Sequence, residues 1–397
     1  MKVLVFTSLY PNNVWPNFGV FIKERMTHFA RQEAHQIKVV APVPYFPPIK
    51  FSSRWKYSQV LPYEIVEGIE VHHPRYFMIP KVGMSVHGLM MFLSVLPVVA
   101  EIRKGFDFDL IDAHYVYPDG FAAVLLGRLL KKPVVLSARG SDINLFAAFP
   151  LIRRLLRYAL TRADRVITVS QALKEAIIRL KIPEQKISVI SNGIDLGKFH
   201  PLPKAESRER LGISGKSMIL SVGALIPLKG FDLLIKAFKT LRDEHHEKNL
   251  FLAIVGEGDF RKDLEALILE QGLQEHVLLA GARPHHELNL WYSAAEVFCL
   301  LSSREGWPNV ILEALACGIP VVATGVGGIP EIITSHEVGI LTKREVREVS
   351  NALSAAIHRS WNADEIVRFV HARTWDKVAL SIANVFEATL AAGKPAP

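Results

Sequence analysis

The chain has little cysteine and no metal-binding motif. Of its 397 residues only two are cysteines, Cys299 and Cys317, and both lie in apolar segments. This pattern indicates small core residues in a reducing compartment and argues against a disulfide framework. The histidine pairs at 72–73, 245–246 and 285–286 point in different directions, and no His-Glu-x-x-His is present. The sequence therefore predicts no structural or catalytic metal and no cofactor.

Signals for disorder, a cleaved leader and a membrane span are also weak. Charged residues make up 22% of the chain, and half of it is hydrophobic, which argues against disorder. The segment Lys2–Ser8 has a short apolar core followed by Pro11, which indicates a buried strand rather than a signal peptide. Val82–Ala100 lacks Asp, Glu, Lys and Arg and approaches spanning length. His87 and Pro97 within it favour a buried or membrane-touching helix over a span.

Positive charge is concentrated in the first half of the chain. Residues 1–200 carry 26 Lys and Arg against 15 Asp and Glu, a charge of +11, and residues 201–397 carry 21 against 24, a charge of −3. A basic half indicates an anionic partner: nucleic acid, an anionic membrane face or a phosphorylated acceptor. No nucleic-acid-binding module and no stripe of stacking aromatics is recognisable, so the sequence favours the last two and predicts no nucleic-acid partner.

Short β-rich segments alternate with helical patterns, which predicts α/β domains with parallel sheets and helices on both faces. The predicted strands of the first half are Val3–Thr7, Ile37–Val40, Leu110–Ala113, Val134–Ser137, Val166–Val169 and Ile187–Ile190. Those of the second half are Met218–Val222, Leu250–Val255, Val277–Leu279, Val297–Leu300 and Val321–Ala323. A linker is predicted near 196–216. The Pro- and aromatic-rich segment Pro42–Tyr63 interrupts this pattern. Because such long loops are usually functional or mobile, we expect this one to bind the acceptor.

The most informative segment runs from Ser303 to Thr324. Glu305 and Glu313, eight residues apart, flank a tight turn that opens into a short helix. Both carboxylates can reach a ligand that lies across the start of the helix. The apolar run after the helix makes the segment part of a strand, loop, helix, strand unit, with its loop at the carboxyl end of a strand.

The start of this helix suits a phosphate group. Pro308 is placed at the beginning, where its missing N–H needs no partner, and Gly318 is placed to end the helix. The backbone N–H groups of the first turn, about Trp307 to Val310, point outward with the positive end of the helix dipole behind them.

This segment and its continuation Val326–Glu331 resemble the paired-glutamate signature of the retaining glycosyltransferases of family GT4. The Trp-Pro-Asn-Val variant at 307–310 is similar to that of enzymes of bacterial surface-polysaccharide assembly. The resemblance covers most of the chain and implies the GT-B fold, in which two Rossmann-like, doubly wound parallel-sheet domains face a central cleft. Residues 1–196 would form the acceptor-side domain and residues 197–374 the nucleotide-sugar domain. A final helix, about 375–397, would cross back onto the first domain.

The resemblance also implies roles for individual residues. Glu305 would contact the hydroxyls of the transferred sugar, Glu313 the ribose of the nucleotide, and the intervening amides the rest of the donor. Lys229 matches a lysine that neutralises the donor diphosphate, and His114 and Asp142 lie at strand ends on the acceptor side. The implied donor-binding residues are Gly223, Lys229, Glu257, Glu305, Gly306, Trp307, Pro308, Asn309, Val310 and Glu313. Gly19 follows the first strand, where a glycine either lets the backbone approach the donor phosphates or is an ordinary turn residue.

The chain departs from the family pattern at two positions. Ala224 stands where an arginine five residues before the lysine is common, so one phosphate contact is missing. Arg139 stands where many relatives carry a histidine before Gly140. We hypothesise that the Arg139 guanidinium supplies the charge that Ala224 lacks, because it can grip phosphate oxygens with two hydrogen bonds. The alternative is a structural arginine paired with Asp142.

Several other motifs are weaker signals. Asp107-Phe108-Asp109 mimics a metal-binding Asp-x-Asp but precedes its strand, at the wrong end for a site. The loop at 255–259 follows a strand but lacks the third glycine of a dinucleotide fingerprint. Gly215-Lys216-Ser217 mimics the end of a P-loop, yet a strand follows it. The basic amphipathic segment 151–165 indicates either a helix on anionic lipid or a solvated helix packed on the sheet.

The resemblance implies a metal-independent hexosyltransferase, of enzyme class EC 2.4, that transfers a sugar from a nucleotide-sugar donor with retention. The expected acceptor is a lipid-linked or polysaccharide intermediate of bacterial cell-surface glycan synthesis. The expected location is the cytoplasm or, peripherally, the inner face of the membrane. Catalytic candidates are Lys229, Glu305, Arg139, Asp142 and His114. The alternatives are a nucleotide-sugar epimerase or phosphorylase of the same fold, although no pyridoxal-binding lysine context is recognisable, and a non-catalytic sugar-binding protein.

Overall fold

The computed structural model describes residues 1–32, 35–50, 53–78, 83–213, 215–245 and 249–392. The chain forms two compact units. The N-terminal unit contains Met1–Asn192 and Trp375–Pro397, and the C-terminal unit contains Gly193–Thr374. His246 of the second histidine pair and the last residues of the predicted final helix lie outside the described residues.

The N-terminal unit is built on an eight-stranded sheet in the order β10-β9-β8-β7-β1-β2-β5-β4, with β3 and β6 paired separately. Only β4 runs antiparallel to its neighbour in the large sheet, β5. The central strands of the large sheet are buried on both faces, as in other parallel sheets covered by helices. The strands are β1 Lys2–Phe6, β2 Gln36–Val40, β3 Val43–Pro44, β4 Tyr63–Val66, β5 Ile69–His72, β6 Arg75–Tyr76, β7 Leu110–His114, β8 Val134–Ala138, β9 Arg165–Thr168 and β10 Ile187–Val189.

Helices connect the parallel strands of this unit. They begin with α1, which enters from a left-handed Gly19 at φ 69°. The helices are α1 Val20–Arg31, α2 His87–Gly105, α3 Phe121–Leu130, α4 Ser141–Asn144, α5 Pro150–Arg162 and α6 Gln171–Arg179.

The C-terminal unit has a six-stranded, fully parallel sheet in the order β13-β12-β11-β14-β15-β16. The reversal of strand order beside β11 is the place where ligands bind in open α/β sheets. Its strands are β11 Ser217–Val222, β12 Leu250–Val255, β13 Val277–Gly281, β14 Val297–Leu300, β15 Val321–Thr324 and β16 Gly339–Thr342. Its helices are α7 Lys204–Arg210, α8 Phe231–Glu244, α9 Arg261–Glu270, α10 Leu288–Ala294, α11 Asn309–Ala316, α12 Ile329–Ile332, α13 Val346–His358 and α14 Ala363–Val370.

Each predicted strand is present within a residue or two of its expected bounds. The predicted linker at 196–216 is not a plain connection, because α7 lies within it and packs on α10. The loop prediction for Pro42–Tyr63 needs correction as well. This segment contains β3, a 3₁₀ turn at Ser53–Gln59 and the first residue of β4, while residues 51–52 lie outside the described part.

The final helix, α15 Trp375–Ala392, packs in the N-terminal unit and confirms the predicted return of the chain. Its buried residues repeat every three or four positions, which places them on one face. Phe386 meets Phe29 of α1 edge to face at 5.3 Å, and His28 Nδ1 lies 2.7 Å from Asp376 Oδ1. The end of the chain therefore forms part of the N-terminal unit.

By length and composition, one helical stretch among the described residues could cross a membrane. Met84–Gly105 has a mean hydropathy of 1.7 in its most apolar window, of which 28% is buried. Met91, Val95 and Val99 are buried along one face of α2, so that face packs in the N-terminal unit. Leu89 and Leu93 on another face are exposed.

Candidate functional site

A lysine–glutamate pair lies at the carboxyl ends of β11 and β14. Lys229 ends a 3₁₀ turn after β11, and Glu305 follows β14. The Lys229 Nζ lies 2.6 Å from Glu305 Oε1, and the Ser302 hydroxyl donates to the same oxygen at 2.6 Å. Both side chains of the pair are largely buried. The two residues expected to contact diphosphate and sugar therefore come together, and Ser302 orients the carboxylate.

Backbone packing fixes this pair. Gly230, at φ 72°, lies so close to Leu301 that a Cβ would stand 2.4 Å from the Leu301 carbonyl oxygen. Gly327, at φ 56°, approaches Glu305 even more closely, with a Cβ position 1.9 Å from its carbonyl oxygen. Thr324 Oγ1 also donates to the Ser302 carbonyl at 2.6 Å. Glycines with left-handed backbone thus hold the loops after β11 and β15 against the loop after β14.

The helix after Glu305 begins later than predicted. Pro308 is the residue before the first helical position, and α11 starts at Asn309, so the amide of Trp307 lies outside the helix. The first-turn N–H groups that a ligand could use therefore start at Asn309 and Val310. The predicted end of this helix is confirmed, because α11 ends at Ala316 and Gly318, two residues later, has the left-handed backbone typical of helix ends, with φ 74°.

Glu313 is buried and accepts hydrogen bonds inside the C-terminal unit. The Tyr292 hydroxyl donates to Glu313 Oε2 at 2.8 Å, and His285 Nε2 lies 3.2 Å from Oε1. Burial and the charge of Glu313 raise the pKa of Tyr292, so its hydroxyl keeps its proton. The ring of Phe199 packs edge to face on both His285 and Tyr292. Two side chains thus orient Glu313, the residue expected to contact the ribose.

The loops after β11 and β12 are in contact. Gly256 sits against Gly223, with a Cβ position 1.8 Å from the Gly223 carbonyl oxygen. The Leu225 N–H donates to the Glu257 carbonyl at 2.9 Å, while the Glu257 side chain lies 3.4 Å from Arg261 Nη1. Gly223 and Glu257 therefore belong to the same edge of the sheet as Lys229. The contact of Glu257 with a nucleotide stays a prediction.

A second cluster occupies the carboxyl ends of β7 and β8 in the N-terminal unit. Arg139 donates to His114 Nδ1 at 2.5 Å and to Asn192 Oδ1 at 2.9 Å, and its guanidinium lies 5.3 Å from the Phe21 ring centroid. His114 and Asp112 are two residues apart in β7 and so face the same side of the sheet. Arg139 is therefore held by side chains of its own unit.

These contacts assign the proton of His114. Its Nδ1 accepts from Arg139, so the proton resides on Nε2, which lies 3.0 Å from Asp112 Oδ2. Burial lowers the pKa of His114 to about 3, although Asp112 acts in the opposite direction. Burial, with the charge of Arg25, lowers the pKa of the Arg139 guanidinium to about 9. Near neutral pH, His114 is thus uncharged and Arg139 remains a cation.

Asp142 does not pair with the guanidinium of Arg139. Its carboxylate accepts backbone N–H groups from Val116, Arg139 and Gly140 at 2.8–3.3 Å. Burial raises its pKa, and these backbone hydrogen bonds act against that rise. Asp142 therefore joins the turns after β7 and β8. In the alternative of a structural Arg139, the partners of the guanidinium are His114 and Asn192 rather than Asp142.

Other predicted positions have structural explanations. At Gly19 a Cβ would stand 2.3 Å from the Leu9 carbonyl oxygen, so the turn itself requires glycine, and its donor contact stays a prediction. Asp109 precedes β7 and accepts the Lys2 N–H at 2.7 Å, as expected for a residue at the other end of the sheet. His73 contacts the Ala41 carbonyl and Glu64, whereas His72 on the neighbouring position lies near Glu70.

The sequence did not reveal the supporting residues. Ser302, His285, Tyr292, Asp112 and Asn192 contact the predicted residues from other elements of the chain. In the sequence, His285 stands out only as one of a histidine pair that could bind a metal. For Ser302 a local signal existed, because it follows the same strand as Glu305 and lies three residues before it.

Comparison with known proteins defines the class. Residues 20–198 match the family described as Glycosyltransferase Family 4, and residues 203–368 match the family described as Glycosyl transferases group 1. The chain therefore belongs to the GT4-type glycosyltransferases, to which both descriptions apply, and it has the GT-B fold.

Relatives match this chain over two thirds or more of its length. A Bacillus subtilis (strain 168) protein named for teichuronic acid biosynthesis, the glycosyltransferase TuaC, is 30% identical over 100% of this chain and 96% of its own length. The GDP-mannose-dependent alpha-(1-6)-phosphatidylinositol monomannoside mannosyltransferase of Mycolicibacterium smegmatis is 30% identical over 68% of this chain and 69% of its own. HepE of Anabaena, solved with UDP and glucose, matches the fold with a TM-score of 0.74, 21% identity and coverage of 98% and 99%.

Proposed function

We propose that this glycosyltransferase transfers a hexose from a nucleotide-sugar donor, with retention and without a metal ion, to a lipid-linked or glycan acceptor of bacterial cell-surface glycan synthesis. The observation that carries the proposal is the Lys229–Glu305 pair beside the first turn of α11. Names of relatives support the substrate classes: one concerns teichuronic acid and another uses GDP-mannose and a phosphatidylinositol mannoside.

The donor site in this proposal is the edge of the C-terminal sheet. Lys229 and the N–H groups of the first turn of α11 provide positive charge for the diphosphate. Ser302 holds Glu305 for the hydroxyls of the sugar. His285 and Tyr292 hold Glu313 for the ribose. Charge that is already in place when the reaction begins stabilises the leaving diphosphate most effectively.

The reaction breaks the bond between the anomeric carbon and the diphosphate oxygen and forms one to the acceptor oxygen. We propose that the acceptor attacks from the face that the leaving group departs from, and that its proton passes to a phosphate oxygen of that group. The configuration is then retained with no protein nucleophile. Negative charge gathers on the diphosphate, so Lys229 acts more strongly on the transition state than on the ground state.

We propose that a surface of the N-terminal unit contacts the membrane that carries the acceptor. Helix α5 exposes the apolar side chains of Phe149 and Leu151 at its start, together with Arg153, Arg154 and Arg157. Apolar and basic side chains on one helix fit the interface of an anionic bilayer. We therefore place the enzyme in the cytoplasm, peripherally at the inner face of the membrane. Sedimentation with phosphatidylglycerol vesicles, but not with phosphatidylcholine vesicles, tests this placement.

A donor screen tests the proposed reaction. UDP-, GDP-, ADP- and dTDP-hexoses are added to the full chain, and the melting temperature is measured with and without EDTA. A donor that binds should raise the melting temperature, in EDTA as well. Turnover is then followed with and without glycan acceptors, and the anomeric configuration of the product is read by NMR.

The outcomes separate the alternatives. Transfer to an added acceptor with retained configuration supports the proposal. Conversion of the donor sugar without an acceptor indicates an epimerase, and donor binding without any turnover indicates a sugar-binding protein. Loss of transfer in EDTA that is restored by Mg²⁺ would contradict metal independence.

A further inference from the structure

A pocket of about 340 Å³ lies wholly within the N-terminal unit. Its walls come from the β1–α1 loop, the segment after β2, the 3₁₀ turn at Ser53–Gln59, and β6 with the residues just after it. The lining residues are Ser8, Asn12, Trp15, Phe18, Pro42, Val43, Pro44, Tyr57, Tyr76 and Met78. We name this cavity the aromatic pocket. It lies at the carboxyl ends of β1 and β2, the edge of a parallel sheet where ligands bind.

The chemistry of the lining selects a neutral ligand with one apolar face. None of the lining residues is charged, so the aromatic pocket does not suit a phosphate. The rings of Trp15 and Tyr57 stand 4.8 Å apart at 55° and present apolar surface. Asn12 uses Oδ1 for the N–H groups of Val14 and Trp15, and among the described residues its Nδ2 has no partner.

A pyranose ring has this character. Its C–H face is apolar and packs on aromatic rings, while its hydroxyls need donors and acceptors at the edge. The Asn12 amide is such a group at this cavity. An isoprenoid chain would leave the Asn12 Nδ2 without a partner, which costs free energy. A volume at the lower end of the range for ligand pockets also suits one ring rather than a long chain.

The walls are fixed before any ligand binds. Asn12 forms the turn that carries Trp15. Asn13 joins this loop to the opposite wall, because its Nδ2 donates to the Gln59 carbonyl and its Oδ1 accepts the Leu61 N–H, both at 3.0 Å. Arg75 donates to the backbone carbonyls of Tyr57 and Val60. A pocket held in this way loses little entropy when it binds a ligand.

The aromatic pocket is close to the Arg139 cluster of the same unit. Phe18 lines the pocket, and Phe21, one turn further along the chain, lies against the Arg139 guanidinium. Ser8, another lining residue, donates its N–H to Asp119 in the segment that follows β7. A sugar in the pocket would therefore lie at the same sheet edge as Arg139 and His114.

We infer that the aromatic pocket binds the pyranose ring at the reacting end of the glycosyl acceptor. This inference rests on the proposed function, because it gives the acceptor of that reaction a site and a chemical class. The ring can belong to a lipid-linked or to a free glycan. In both cases Trp15 and Tyr57 contact its C–H face and Asn12 contacts a hydroxyl.

Saturation-transfer NMR on the full chain tests the inference with defined probes. These are methyl α-D-glucopyranoside, methyl β-D-galactopyranoside, methyl N-acetyl-β-D-glucosaminide and, as an isoprenoid, farnesyl phosphate. We expect at least one glycoside to bind through its C–H face. Trp15→Ala and Tyr57→Ala should weaken that binding about tenfold, and Trp15→Phe should retain most of it. Phe77→Ala is the matched control, because Phe77 is exposed beside Tyr76 but does not line the pocket.

A nucleotide control separates this inference from the proposed function. The shift in melting temperature caused by UDP or GDP should be the same in wild type and all variants, which also shows that the variants fold. No glycoside binding to wild type, or unchanged binding in Trp15→Ala and Tyr57→Ala, overturns the inference. The inference is also wrong if the variants lose binding of farnesyl phosphate but not of any glycoside. If the nucleotides fail to bind wild type, the proposed donor site is wrong instead. Comparison of methyl and octyl β-D-glucopyranoside shows whether a lipid adds a contact outside the pocket.

Discussion

Lys229 Nζ lies 2.6 Å from Glu305 Oε1, although the two residues follow different strands of the C-terminal sheet. Glu305, the residue expected to hold the transferred sugar, thus also fixes the position of the Lys229 ammonium group. A diphosphate that enters would take up the other donors of the ammonium group, while Glu305 keeps its bond from Ser302. In the proposed function this pair is the centre of the donor site.

The first prediction concerns the lysine of this pair. Lys229→Ala should lower kcat about 100-fold or more, because it removes a cation from the charge that develops on the diphosphate. Steady-state kinetics with the donor identified in the screen measures this change. Lys239→Ala is the matched control, because Lys239 also pairs with a carboxylate, Asp243, but on the exposed face of α8. Equal activity of the two variants would contradict the role of Lys229.

The second prediction concerns the support of Glu313. Tyr292→Phe leaves Glu313 Oε2 without its donor in a buried place, which should cost about 1–3 kcal/mol of stability. The melting temperature should fall, and a nucleoside diphosphate should bind more weakly. Exposed Tyr63→Phe should change neither property. Wild-type affinity for nucleotide in Tyr292→Phe would show that Glu313 does not need this orientation.

The third prediction concerns the hypothesis that Arg139 makes the phosphate contact that is missing at Ala224. If Arg139 provides the charge that is missing at Ala224, Arg139→Ala should raise the donor KM and lower kcat, and adding Ala224→Arg should recover part of the loss. Exposed Arg157→Ala on α5 serves as the control with a water-soluble acceptor. Wild-type turnover and donor KM in Arg139→Ala would show that the idea is wrong. The partners His114 and Asn192 would then mark Arg139 as a structural residue.

The fourth prediction concerns the dependence of stability on pH. Burial raises the pKa of Asp119 to about 7, although hydrogen bonds from Ser8 act against this rise. In the unfolded chain an aspartate has a pKa of about 3.9, so between about pH 4 and 7 only the unfolded chain releases this proton. The free energy of unfolding therefore falls across that window and the loss persists above pH 7.

Asp119→Asn removes this effect and keeps an acceptor for Ser8. Its stability relative to wild type should rise by on the order of 2 kcal/mol between pH 5 and pH 8. Urea unfolding of the full chain at both pH values measures the difference. Exposed Asp243→Asn is the control. An equal difference between Asp119→Asn and wild type at both pH values would mean that Asp119 titrates normally.

The central strands could be predicted because each is an apolar run that is buried on both faces. β12 is the simplest example, since all its residues are buried. β4 and β5 were missed because they form no apolar run. β4 alternates exposed and half-buried residues, β5 alternates buried and half-buried residues, and both include a glutamate. β3 and β6 have only two residues each, too few for a pattern.

The site could be predicted only in part. Lys229 and Glu305 were found because each follows a strand, and the carboxyl ends of neighbouring parallel strands meet at one edge of a sheet. The contact of His285 and Tyr292 with Glu313 joins the turn before α10, α10 itself and α11, and no spacing within one element indicates it. The role of Asp142 depends on the turn at Gly140, whose φ of 126° brings backbone N–H groups to its carboxylate.

The most direct test of the donor site is a titration of the full chain with nucleoside diphosphates and monophosphates. UDP or GDP should bind wild type at least about tenfold more tightly than UMP or GMP, because Lys229 and the start of α11 act on the second phosphate. In Lys229→Ala this preference should become smaller, because only the start of α11 then acts on the second phosphate, while the monophosphate binds as before. Equal affinities of diphosphate and monophosphate for wild type, or an unchanged preference in Lys229→Ala, would contradict the account.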